Sequence, residues 1–155
     1  MMNGGTLHIR GSGLEPWTDC LRRVDTVIAT PSVVLKYMPR VEDFPNVKTI
    51  AVGGEPCPLA LAEKWAPYVK FWNVCGPTEI SILNTAHLHR PGRTLSIGKP
   101  NPNTNVYILD DDENPVNIGE PGIMWAGGDG VSRGYLGLPD LTKTRYKPDK
   151  FTKDG

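Results

Sequence analysis

Asn73-Val74-Cys75-Gly76-Pro77-Thr78-Glu79 stands between an apolar run, Val69-Lys70-Phe71-Trp72, and a β-rich run from Ile80 to Leu88. A Gly-Pro pair forces the chain to turn, because proline fixes φ and the glycine before it accepts backbone angles that other residues resist. Just past the turn come one hydroxyl, Thr78, and one carboxylate, Glu79. That pair suits a site for a phosphate and its Mg2+, an ion that takes one or two carboxylate oxygens and completes its shell with substrate phosphates. It also suits a plain strand-to-strand loop, with Thr78 capping a turn and Glu79 solvated.

Upstream of this stretch the chain alternates strands and helices. Glu15-Pro16 opens a helix with Trp17, Cys20, Leu21 and Val24 on one face. Asp25 to Thr30 is a short β-branched strand, and Pro31-Ser32 starts a second helix that Pro39 ends. Val47 to Val52 is an apolar strand running into Gly53-Gly54-Glu55, whose glycines permit close approach by a ligand or another strand. A third helix follows from Pro58, with Leu59, Ala62 and Trp65 inward, and Phe71-Trp72 feeds the opening stretch. Strand, helix, strand, helix, strand predicts a parallel, helix-covered sheet over about residues 25–75. Before it, Leu7-His8-Ile9-Arg10 alternates like a weakly held strand.

After Leu88 the texture changes. Turns at 89–93 and 100–103 precede short β runs at 105–109 and 122–126, separated by the acidic turn Asp110 to Pro115. This is the pattern of a small antiparallel, barrel-like subdomain. A final helix is expected over Pro139 to Tyr146, with a polar, frayed end from Lys147. The fold class is therefore α/β: a partial parallel sheet covered by helices within residues 1–90, then a small antiparallel β-barrel-like subdomain within 91–155.

Composition excludes several classes. The 155 residues are 39% hydrophobic and 22% charged, ordinary for a globular protein, and 17 basic residues cancel 17 acidic ones. No basic stripe argues for nucleic acid, and no apolar stretch approaches bilayer length, so neither nucleic acid nor membrane is expected as a partner. No signal peptide is visible at Met1 to Ile9, which points to the cytoplasm. Cys20, Cys57 and Cys75 lack the spacing of a zinc site or a disulfide framework and read as reduced thiols. His87 and His89 alternate on one strand without a third ligand and read as solvated.

Asn73 to Glu79 resembles the Asn-x-Tyr-Gly-Pro-Thr-Glu signature of the adenylate-forming enzymes, in particular the adenylation domains of nonribosomal peptide synthetases. A second block, Gly119 to Leu136, is similar to that family's Gly-Glu-Leu-x-Ile-x-Gly-x-Gly-Val-Ala-Arg-Gly-Tyr. Ser96-Ile97-Gly98-Lys99-Pro100 resembles its Ile-Gly-x-Pro linker, and Gly53-Gly54-Glu55 its Gly-Gly-Glu turn. The likeness runs from about Asp25 to the C-terminus. Its wording looks most like fungal synthetases, including those that build hydroxamate siderophores.

The resemblance implies an enzyme that joins a carboxylic acid, most simply an amino acid, to the α-phosphate of ATP. The acyl-adenylate then passes its acyl group to the phosphopantetheine thiol of a carrier domain, alongside condensation domains. By matching motifs, Thr78 would bond the α-phosphate and Glu79 would hold Mg2+ as the two catalytic positions. Gly53, Gly54, Glu55, Asn73, Cys75, Gly76 and Thr78 would bind the nucleotide, Gly54 and Glu55 near the adenine. Ala29, Ala51, Gly53, Val74, Ile82 and Leu83 would line the acyl pocket, or serve simply as sheet core. All six are small or apolar, so their part of the wall would accept an uncharged side chain. On this reading residues 1–90 are the C-terminal part of a nucleotide- and substrate-binding subdomain, and 91–155 a truncated β-rich one.

One departure concerns the aromatic residue of the signature, which is Cys75 here and forfeits about 1 kcal/mol of ring contact. The chain also shows no phosphate loop with its lysine, no downstream Thr-Gly-Asp and no lid with a catalytic lysine. The acid that clamps a substrate amino group would lie before Met1. The chain thus reads as an internal piece of an adenylation domain, inactive alone. Alternatives are a piece of an acyl-CoA or aryl-acid ligase, or a binding module that keeps the fold without turnover.

Overall fold

A computed structural model describes residues 4–9, 12 and 14–152. They fall into two compact units, Met1–Cys75 with Ala86–Lys99, and Gly76–Thr85 with Pro100–Gly155.

The first unit is built on a parallel sheet. Strands β1 (Thr26–Ala29), β2 (Thr49–Val52) and β3 (Lys70–Cys75) pair in parallel, and β4 (Thr85–Leu88) and β5 (Lys99–Pro100) continue the order β1-β2-β3-β4-β5. The register aligns Val27 with Ile50 and Ile50 with Phe71. All three are buried, with Val52 two residues on, so this face carries the core. Helices α1 (Leu14–Arg23), α2 (Pro31–Tyr37) and α3 (Leu59–Trp65) supply Leu21, Val34, Leu61, Ala62 and Trp65 to that same core. Removing a Phe71 or Ile50 side chain from water contributes about 1.5–3 kcal/mol. The opposite face is far less covered within this unit: Ile28 is 80% exposed and Trp72 half-buried.

The parallel, helix-covered sheet over 25–75 is as expected, with local corrections. Among the described residues no strand forms at Leu7 to Ile9, where Leu7 and Ile9 lie exposed; Arg10 lies outside the described residues. Leu59 sits in the first turn of α3 and is half exposed, while Leu61 takes its place inward. His89 is not solvated but buried. Of the β-rich run Ile80 to Leu88, only Thr85–Leu88 is strand.

In the second unit β6 (Thr104–Leu109) and β7 (Ile123–Gly128) pair antiparallel, and α4 (Pro139–Arg145) follows. Among the described residues this sheet has two strands and closes no barrel. The acidic turn between them is shaped by Asp110, whose Oδ1 accepts the backbone N–H groups of Asp112 and Asn114. Residues 147–152 are not frayed. The Tyr107 hydroxyl donates to Asp149 at 3.0 Å, Phe151 lies 4.6 Å from the Tyr107 ring, and Lys147 and Lys150 both pair with Glu113.

Candidate functional site

The stretch 73–79 is divided at Cys75, the last residue of β3, with Gly76 opening a segment of the second unit. In the first unit the strand ends after β2 and β3 approach closely. A Cβ on Gly53 would stand 2.6 Å from the Val74 carbonyl oxygen and 2.8 Å from its Cγ2. No real side chain tolerates such distances, so glycine is required by contact and not by φ. Gly54 adds a φ of +84°, which favours glycine for the usual reason.

Glu55 turns back on α2. Thr30, the N-cap of that helix, makes no side-chain cap bond, and the Glu55 carboxylate accepts the Ser32 N–H instead. The Ser32 hydroxyl, the Ser32 N–H and the Thr30 hydroxyl together hold the Glu55 carboxyl below its usual range. Its side chain therefore serves as a helix cap. Asn73 is buried, and its Nδ2 donates to the Ser96 carbonyl at 2.9 Å, fastening the linker before β5 to β3.

Of the four candidate acyl-pocket residues in this unit, strand alternation sets Ala51, Gly53 and Val74 on one side of the sheet. Ala29 packs against the core on the other side. Cys75 is half-buried with a free thiol. Cys20 and Cys57 are free as well, and burial pushes the Cys57 thiol up.

In the second unit residues 76–83 fold into a tight loop. A Cβ on Gly76 would come within 2.1 Å of the Ile82 carbonyl oxygen and 2.7 Å of the Leu83 Cα. The Ile80 N–H donates to the Pro77 carbonyl at 3.2 Å, which closes the turn that holds Thr78 and Glu79. Ile82 adopts a φ of +72°, unusual for a β-branched residue, and is 77% exposed. Such strain costs about 1–3 kcal/mol and concentrates at functional sites. Leu83 beside it is also partly exposed.

The loop is fastened to residues 130–135. Ile80 and Val131 form an antiparallel bridge, Ser81 donates from N and Oγ to the Gly130 carbonyl, and the Ser132 N–H donates to the Glu79 carbonyl at 2.7 Å. The Tyr135 hydroxyl donates to Oε1 of Glu79. Tyr135, Glu79's own N–H and the nearby Arg145 charge hold the Glu79 carboxyl below its usual range, and Glu79 raises the Tyr135 hydroxyl in return. Thr78 is exposed and Glu79 half-buried. A cavity of about 710 Å³ opens beside them, lined by Glu79, Asn84, Tyr107, Trp125, Tyr135 and Arg145 among others.

This donor set fits a magnesium ion carried on a nucleotide, which needs one half-buried ionised carboxylate and takes its remaining ligands from phosphates and water. It does not fit a resident metal centre: among the described residues no group of three His, Cys, Asp or Glu converges. Glu79 would hold the ion, with the Thr78 hydroxyl next to it in the chain for a phosphate oxygen. The link to Tyr135 escaped sequence reasoning, although the quoted block contains that residue. Its only trace was a tyrosine shortly after a motif of small residues.

A family profile described as AMP-binding enzyme matches residues 1–136. Over its whole length the chain is 50% identical to adenylate-forming reductase 06235 of Coprinopsis cinerea and spans 15% of that protein. It is 37% identical over 150 residues, 97% of its own length, to nonribosomal peptide synthetase sirP of Leptosphaeria maculans and covers 7% of it. Among solved structures, a four-domain nonribosomal peptide synthetase bound to AMP and glycine superposes with a TM-score of 0.74 at 27% identity, over 88% of this chain and 11% of that one. The chain thus spans well under a fifth of each of these proteins. No helix among the described residues is long and apolar enough to cross a membrane.

Proposed function

We propose, since this chain belongs to the AMP-binding enzyme family, that the protein carrying it activates a carboxylic acid with ATP, forming an acyl-adenylate and pyrophosphate. The observation that carries this reading is the Glu79 carboxylate, kept ionised and held at both its backbone and its side chain on a loop that only glycine at 76 can form. Activation of this kind joins two anions, so the protein's work is positioning and charge neutralisation. A Mg2+ ion, when bound with the nucleotide, supplies positive charge to the phosphates. Glu79 would hold it, and Thr78 would offer a hydroxyl to the α-phosphate. Ala51, Gly53 and Val74, on one side of the sheet, offer the acid a small apolar wall.

An amino acid is the favoured substrate class, in keeping with the glycine held by the synthetase whose fold this chain shares. The acyl group would then pass to a carrier-domain phosphopantetheine thiol. A second reading of that last stage is favoured by identity: 50% to adenylate-forming reductases against 37% to the synthetase. On that reading the activated acyl group is reduced and not condensed into a peptide.

ATP–pyrophosphate exchange by the full-length protein, over a panel of amino and other carboxylic acids, tests the shared step. Exchange with at least one acid that disappears in Glu79→Gln supports it. No exchange with any acid overturns it and leaves a binding module. Product analysis, aldehyde or alcohol against amide, separates the two fates.

A further inference from the structure

Glu79 is reached from the second unit's later residues at two points, and those points are joined to each other. The Ser132 N–H holds the Glu79 carbonyl, and the Ser132 Oγ lies 2.6 Å from the Tyr146 hydroxyl. The Tyr146 ring stands edge-on to the Tyr135 ring at 5.6 Å and 82°. Tyr135 returns to the start through its hydroxyl on the Glu79 carboxylate. Its own N–H donates to Thr142 Oγ1 at 2.9 Å, and a Cβ on Gly134 would meet that same threonine at 2.5 Å, so helix α4 sets where Tyr135 can stand.

This is a closed circuit of contacts around one carboxylate. A free glutamate samples many rotamers, and ordering it on binding opposes affinity unless the fold has already done so. A carboxylate only accepts hydrogen bonds, and a tyrosine hydroxyl that donates to one of its oxygens fixes its plane and leaves further lone pairs for a cation.

We propose that Tyr135 is a positioning residue that presets the Glu79 carboxylate for the metal ion of a bound nucleotide. This rests on the reading of Glu79 given above. It assigns a role to the second sequence block: residues 130–135 hold in place the carboxylate that the first block provides, and Tyr135 acts through Glu79 without touching the nucleotide.

The test is Mn2+ binding in the presence of ATP, followed by water-proton relaxation, in the full-length protein. Tyr135→Phe keeps the ring against Tyr146 and the backbone bond to Thr142, and removes only the hydroxyl. Mn2+ binding should weaken by roughly five- to tenfold, the loss of one bond to a charged group. The half-saturating Mg2+ concentration in exchange assays should rise in parallel, with KM for the acid unchanged. In a Glu79→Gln background the same change should add nothing, because the two residues act as one unit. Tyr146→Phe, which leaves the Tyr135 hydroxyl in place, should keep Mn2+ affinity within about twofold.

Unchanged Mn2+ affinity in Tyr135→Phe, with Glu79→Gln weakened, overturns the inference and leaves the reading of Glu79 standing. Equal weakening by Tyr135→Phe in both backgrounds, or a rise in KM for the acid of the same size, marks a merely structural tyrosine and also overturns it. Wild-type Mn2+ affinity in Glu79→Gln overturns the reading of Glu79 itself, and the inference with it.

Discussion

Nε2 of His89 lies 2.7 Å from Oε1 of Glu63, tying the residue after β4 to helix α3. His89 is buried, and Glu63 also accepts the Gly92 N–H at 3.0 and 3.1 Å. The Gly92 N–H and the His89 ring hold the Glu63 carboxyl below its ordinary 4.5. A depressed folded-state value stabilises the fold above the unfolded one and is lost as the pH falls through it. The stability gap between wild type and Glu63→Gln should therefore be open near neutral pH and close below pH 4.5. Urea denaturation at a series of pH values reads it; a gap that persists unchanged into acid contradicts it.

Gly76→Ala should be far more damaging than Gly130→Ala. At 76 the new Cβ meets backbone at 2.1 Å, whereas at 130 the nearest atom is the Ile80 Cγ2 at 3.3 Å. Overpacking against backbone costs about 1–3 kcal/mol or more, and here it displaces the loop that carries Glu79. Loss of nucleotide binding in Gly76→Ala, with Gly130→Ala close to wild type, is the expected pattern in a calorimetric titration.

Asn84 is completely buried, and neither atom of its carboxamide has a hydrogen-bond partner among the described residues. A buried unsatisfied polar group costs about 1–3 kcal/mol. Asn84→Leu, similar in volume and apolar, should raise the unfolding midpoint. A lowered midpoint would show that the amide is satisfied.

Glu113 pairs with Lys147 and Lys150, which lower its carboxyl from 4.5 to about 2. These contacts are the tether on residues 147–152, fully present above pH 4.5 and weakening as the pH falls towards 2. Glu113→Gln should speed tryptic cleavage after Lys150, and added salt should do the same to wild type by screening. Equal cleavage rates in the two proteins would rule the tether out.

Cys75→Tyr restores an aromatic surface at the end of β3. If the base of a nucleotide lies there, affinity should rise roughly fivefold, the equivalent of about 1 kcal/mol of ring contact. No gain means that Cys75 faces no ring.

The first unit was legible because its residues obey one period at a time. Val27, Ile50 and Phe71 lie in short β-branched or apolar runs, and the prolines at 31 and 39 bracket a helix, so local pattern and tertiary contact agree. The second unit was less so. Nothing in a linear reading says that Tyr135 meets Glu79, because the contact joins residues 56 apart and depends on α4 to aim the ring. His89 misled for a related reason: alternation gives the face of a strand and not what covers it, and α3 covers it through Glu63. Residues 147–152 looked free because they are polar, yet Asp149 and both lysines find partners on β6 and in the turn after it.

The bridge between Ile80 and Val131 bears on anyone who recombines this protein with its relatives. A crossover placed anywhere between positions 80 and 131 takes the carboxylate from one parent and its clamp from the other, and asks two lineages to agree on a geometry neither evolved for. Chimeras should keep 76 to 146 as a single cassette, with junctions outside it.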